Sequence, residues 1–129
     1  MTVEAAARVC DGLPEVTEGV RFRNRTWFVR DKAFAWLRPF STADIKRFGT
    51  VAPPAGPILA VRVASLDHKE VVLMARRRGF FDIPHFHGYP AVLIRLDEVR
   101  RRDLEEAVFD AWLACAPPEL AEPTARGRA

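Results

Sequence analysis

Asp82, His85 and His87 stand within six positions of one another, and two imidazoles beside a carboxylate are a donor set for a divalent metal with an open position. The two histidines would point the same way only in an extended segment. Pro84, Gly88 and Pro90 instead indicate an irregular loop, which does not pre-align ligands, so neither a metal site nor a cofactor is expected. Phe81, His85, His87 and Tyr89 still make an aromatic loop on which a protein or small ligand could dock. Its plainer role is packing, with His85 hydrogen-bonded to backbone and Phe81, Phe86 and Tyr89 laid over a sheet. Other catalytic chemistry is missing from the chain. There is no Gly-rich phosphate loop, Ser-His-Asp elbow or Cys-x-x-Cys pair. Cys10 is followed by Asp11, and a neighbouring anion raises a thiol pKa, the wrong direction for a nucleophile. The sequence therefore reads as a non-enzyme.

Basic residues offer the other chemistry. The formal net charge is +3, which permits an anionic partner without requiring one. Between positions 21 and 38, Arg21, Arg23, Arg25, Arg30, Lys32 and Arg38 stand against a single acid, Asp31. Arginines spaced along hairpins can follow a phosphate track. Arg21, Arg23, Arg25, Arg30 and Lys32, with Arg102 from a cluster at positions 100–102, are thus candidate contacts to double-stranded DNA. Against this, a half-exposed antiparallel sheet carries charge on its wet face in any case. Arg76, Arg77 and Arg78 are expected in the last turn of a helix, where the dipole favours cations. Arg100, Arg101 and Arg102 fall near the positive end of the last helix and could pair with Asp103, Glu105, Glu106 and Asp110. No predicted helix carries base-reading residues in register, so any DNA binding is expected to be sequence-tolerant.

These residues need a scaffold. Thr2 as N-cap, Glu4 in the first turn, then Gly12 and Pro14 predict a helix over 3–11. Alternation predicts strands over 17–23, 26–30 and 33–38, with tight turns at Asn24–Arg25 and Asp31–Lys32. A short helical segment follows at 42–49, then a loop at 50–57 with Pro53, Pro54 and Pro57. The nearly continuous apolar run at 58–64 predicts a central strand. Asp67 and Glu70 are spaced as a capping box for a helix ending at Gly79. A strand at 91–96 leads to a final helix over 100–116, whose inward stripe is Leu104, Val108, Ala111 and Cys115 with Trp112 beside it. The fold class is α+β: a single domain, an antiparallel-rich sheet of about five strands with helices on one face, in the order α-β-β-β-(short α)-β-α-β-α. The domain spans 1–121, and 122–129 reads as a short flexible tail. Cys10 and Cys115 are expected reduced and buried on the terminal helices. No apolar run is long enough for a bilayer, and the N-terminus lacks the basic-then-apolar order of a signal peptide. A cytoplasmic monomer or weak dimer is expected.

Four stretches resemble the MmcQ/YjbR family of small bacterial proteins: LPEVTEG, NRTWFVRDKAFAWLRP, FFDIPHFHGYPAVLIRL and DLEEAVFDAWLACAPPEL. The resemblance implies a compact α/β unit with the general layout of type III secretion chaperones and frataxin-like proteins. It also implies DNA binding through hairpin wings and a basic face, and brings no catalytic residues with it. Where that family often has lysine or tryptophan between the histidine-bearing loop and the following strand, this chain has Gly88, Tyr89 and Pro90.

Overall fold

A computed structural model describes residues 1–128. In chain order the elements are α1 (Val3–Asp11), β1 (Val16–Arg21), β2 (Asn24–Val29), β3 (Lys32–Leu37), α2 (Thr42–Arg47), β4 (Ile58–Arg62), α3 (Leu66–Met74), β5 (Phe80–Phe81), a 3-10 turn (Pro84–Phe86), β6 (Ala91–Arg95), α4 (Arg101–Cys115) and α5 (Pro118–Arg128). One six-stranded sheet runs β1-β2-β3-β4-β6-β5 with every pairing antiparallel. This is the expected single-domain α+β architecture, with β5 as an additional edge strand. Among the described residues no helix is long and apolar enough to cross a membrane.

Local chemistry explains most boundaries. Thr2 caps α1 by accepting from the Ala5 N–H at 3.1 Å. Ser41 and Asp44 close a reciprocal capping box on α2. The cap of α3 is Ser65, accepting from the His68 N–H, and not the Asp67–Glu70 pair expected from spacing. That helix stops at Met74, so Arg76, Arg77 and Arg78 lie beyond it rather than in its last turn. Arg76 turns at φ 50, Arg77 pairs with Glu106 and Arg78 with Glu98. Gly79 then swings the chain into β5 at φ +87, where a side chain would stand 2.9 Å from the Arg95 carbonyl oxygen.

The two hairpin turns sit earlier than alternation suggests. Arg21 faces Asn24 and Val29 faces Lys32, so the turn residues are Phe22–Arg23 and Arg30–Asp31. All four have positive φ (52, 67, 47 and 67), the mirror-image turn that suits the twist of a hairpin. Of the four only Asp31 is of a type that accepts this conformation readily, and none is the glycine that most plainly reveals such a turn in a sequence. A bulge in β3 opposite Trp27 and Phe28 brings Phe34 and Ala35 both to the helix side, and the next residue, Trp36, to the opposite side.

The main core lies between the sheet and α1, α4 and α3. Trp27, Val29, Phe34, Leu59, Val61, Val92 and Ile94 from the sheet meet Ala6, Cys10, Leu104, Val108, Ala111 and Trp112. The predicted stripe of α4 is buried as expected. Cys10 and Cys115 are buried and unpaired. The tail expected from Glu122 is helical: Pro118 opens α5, Leu120 packs against the core, and the Thr124 hydroxyl donates to the Leu120 carbonyl at 2.9 Å. Ala129, at the end of that tail, lies outside the described residues.

Candidate functional site

The sheet face away from α1 and α4 is only partly covered. A smaller apolar cluster of Trp36, Ile58, Ala60, Ile83, Phe86, Ala91 and Leu93 sits there under α2 and the loop around the 3-10 turn. Between that loop and the β1–β2 hairpin a groove of about 590 Å³ remains open. Trp36 and Thr26 form its floor. Arg21, Phe22 and Asn24 make the hairpin wall, Arg38, Phe40 and Ser41 another, and His85, Phe86 and Tyr89 the loop wall. The rings meet edge to face, Phe86 with Tyr89 at 5.5 Å and Trp36 with Tyr89 at 6.5 Å.

The groove's charge is one-sided: among the described residues no Asp or Glu lines it. The Arg21 guanidinium lies 5.5 Å from the Trp36 ring and 5.6 Å from the Phe22 ring, and has no carboxylate partner among the described residues. Arg38 differs. It lies over Phe86 at 5.5 Å but is ion-paired to the buried Asp44 at 2.9 Å and donates to the Pro39 carbonyl. Burial opposes ionisation of Asp44, yet the Ser41 N–H and hydroxyl, with Arg38, hold its carboxyl below the usual carboxylate range. Phe22, 84% exposed, stands at the rim in strained positive-φ backbone.

The loop wall is braced from behind by a residue that sequence reasoning missed. Lys69 of α3 is buried, and its ammonium donates to the Phe86 carbonyl at 2.6 Å and the Tyr89 carbonyl at 2.9 Å. It also pairs with Asp82 at 3.1 Å. Its position one turn before Val72 and Leu73, which pack on the core, was the available signal: a lysine on the inward stripe of a helix needs a buried partner. Asp82 thus faces Lys69, with His87 Nε2 3.8 Å from its other oxygen, while His85 packs 6.0 Å from the Phe86 ring in the groove. Among the described residues no three His, Cys, Asp or Glu side chains converge as a metal site. Phe81 belongs to the cluster beneath, 6.2 Å from Phe40, and does not line the groove.

The six candidate nucleic-acid contacts do not form one face. Arg25 turns to the helix side, over Trp27, and is held by Glu18 at 2.9 Å and Glu4 at 2.6 Å. The hydrogen bonds it donates to Glu18 and then Glu4 raise its pKa, and the first of them lowers that of Glu18. Arg30 is clasped by Glu15 at 2.5 Å and 2.9 Å. Arg30 and Lys32 lie at the β2–β3 turn, the opposite end of β2 from Arg21 and Arg23, and Arg102 is exposed on α4. Only Arg21 and Arg23 are close together and without acid partners among the described residues. A second crevice, about 220 Å³ between α3 and α4, is lined by His68, Arg77, Glu106 and Asp110 among apolar side chains. Burial and then Glu106 push the Asp110 carboxyl upward. Its charges already answer one another, as the Arg77–Glu106 pair shows.

A profile of the YjbR family matches residues 11–114, which includes the whole sheet and every residue of the groove. An uncharacterized protein of Mycobacterium bovis is 40% identical over 124 residues, covering 94% of this chain and 93% of the relative. Uncharacterized proteins of two Mycobacterium tuberculosis strains match to the same extent. No solved structure matches significantly. With the profile spanning the sheet and these relatives aligned nearly end to end, the chain belongs to the YjbR family.

Proposed function

We propose that this protein is a non-catalytic binding module whose working surface is the groove on the open face of the sheet. The observation that carries this reading is Arg21: an arginine without an acid partner among the described residues, set against Trp36 and Phe22 at an aromatic groove of small-molecule size. A cation left uncompensated over aromatic rings in an acid-free groove supports an anionic ligand. Within the groove the Ser41 hydroxyl accepts from the Asp44 N–H, and the His85 ring packs 6.0 Å from that of Phe86. Two free, buried thiols support a reducing cytoplasmic setting, and the module is taken to work as a monomer or weak dimer.

Amide and indole NMR during titration with a fragment set of mixed charge and shape tests the site. Perturbations should gather at Trp36, Phe86 and Tyr89. Shifts confined to the α3–α4 crevice, or none at all, overturn the reading.

Contact with duplex DNA is the second reading, favoured by Arg21 and Arg23 flanking the exposed Phe22 at one hairpin tip. With Arg25 and Arg30 held by carboxylates, it involves about two phosphates and a slope near 1.8 log units of affinity per log unit of salt. Replacing Arg21 and Arg23 together should flatten that slope for every duplex alike. A slope worth five or six phosphates would return Arg25, Arg30 and Lys32 to the interface.

A further inference from the structure

We propose that the groove's ligand is a flat aromatic monocarboxylate, its carboxylate on the Arg21 guanidinium and its ring against Trp36 and the Phe86–Tyr89 wall. This rests on the groove being the working surface and adds the ligand's chemical class. The number of negative charges follows from the arginines. Arg38 is neutralised by Asp44 at 2.9 Å, so among the described residues Arg21 alone lines the groove with an uncompensated charge. One guanidinium, its face held by aromatic rings, presents an edge of parallel N–H groups matched to one carboxylate.

Polyphosphates fit poorly. They need several cations or a cradle of free backbone N–H groups. Among the described residues the helix start at this groove is that of α2, six residues long and already closed by the Ser41–Asp44 box. A cationic ligand would find no acid in the lining among the described residues. The ring preference follows from the walls: Phe22, Trp36, Phe40, Phe86 and Tyr89 surround a space within the usual range of about 300–1,000 Å³ for small-molecule sites. Asn24 and Thr26, the latter donating to the Asn24 carbonyl at 3.0 Å, supply polar atoms near the hairpin wall for a ring substituent.

The test compares naphthoate with naphthamide, naphthylmethylamine and cyclohexanecarboxylate, by calorimetry and by the Trp36 indole resonance. Naphthoate should bind about ten- to a hundredfold tighter than its neutral amide, the worth of a charge-assisted bidentate pair. The amine and the non-planar acid should be weaker still. Arg21→Gln should remove the advantage of naphthoate over naphthamide, Arg21→Lys should keep part of it, and Arg25→Gln, on the helix side, should leave it intact. Equal binding of the three naphthalenes at Trp36 would keep the groove as the site and overturn the carboxylate. If no probe moves Trp36, both fall. An advantage surviving in Arg21→Gln, or lost in Arg25→Gln, overturns Arg21 as the anchor. Should Arg21→Gln fail to fold, an unreduced preference in Arg21→Lys overturns the guanidinium fork in its place.

Discussion

The two faces of this sheet each hold a large tryptophan, and they are covered in opposite ways. Trp27, fully buried, faces α1 and α4 inside a continuous apolar core. Trp36, 8% exposed, faces a loop, a two-turn helix and an arginine. Long helices close the first face with aliphatic volume. The second is closed by short, polar-ended pieces that meet imperfectly, and the gap they leave is the groove. Close packing is therefore concentrated on one side and open, aromatic-lined space on the other, which is why a disturbance on one face should leave the other largely unmoved.

The largest expected effect tests that division. Trp112→Ala removes a fully buried ring of α4 and its hydrogen bond to the Pro14 carbonyl, and should cost about 3–5 kcal/mol in urea unfolding. Trp36→Ala should cost less, about 2 kcal/mol, since the groove already borders its ring, while abolishing fragment binding. Equal losses would mean that the open face is as tightly packed as the core. Lys69→Met comes next, at about 2 kcal/mol, because it leaves two carbonyls without their buried donor and Asp82 without its ion-pair partner. Amide exchange should then quicken across residues 82–90 and not in α4, and uniform quickening would show that the brace is global. Arg23→Gly should raise stability by about 1 kcal/mol, because glycine accepts φ 67 without strain. Ligand binding in the groove should not change, since Arg23 does not line it.

Titration gives the smallest and most local effects. The Asp44 carboxyl is held low in the folded protein, so its contribution is present above its unfolded pKa and is lost as pH falls through its folded value. Wild-type stability should therefore drop more than that of Asp44→Asn below about pH 4. Burial, then Asp11 and Glu18, pushes the Cys10 thiol up to about 12. The sign is opposite: its contribution is present at neutral pH and is lost as pH rises above about 9. At pH 8 native Cys10 should resist alkylation until the chain opens, and rapid native labelling would contradict its burial.

How much of this was legible in the sequence follows from the range of the forces involved. The stripe of α4 and the central strands are written in local periodicity, and they fold where periodicity puts them. The hairpin turns lie off the positions that alternation suggests because Phe22, Arg23 and Arg30 carry positive φ without being of the types that announce it, and Asp31 alone, with no glycine beside it, is a weak signal. The two-residue β5 is too short to alternate. The groove was harder to see, because its parts belong to different chemistries: Arg21 reads with the phosphate-binding cations, His85 and Tyr89 with the aromatic loop. They meet only because β1, β3 and the 84–89 segment share one side of a sheet. Likewise the pairing of Arg25 and Arg30 with carboxylates depends on Glu4, Glu15 and Glu18, whose positions are set by tertiary structure.

The bulge in β3 acts as a parity switch for the whole molecule. Upstream of it, even-numbered positions of the strand point toward the helices, and downstream odd-numbered ones do, so that Phe34 and Leu37 can both be core while Trp36 is groove floor. Removing one residue there would exchange the roles of the two faces from that point on, driving Trp36 into a core with no room for it and baring the groove. Natural length variation in this strand should therefore come in steps of two. The bulge is what allows one short strand to serve a packed interior and the floor of an open groove at once.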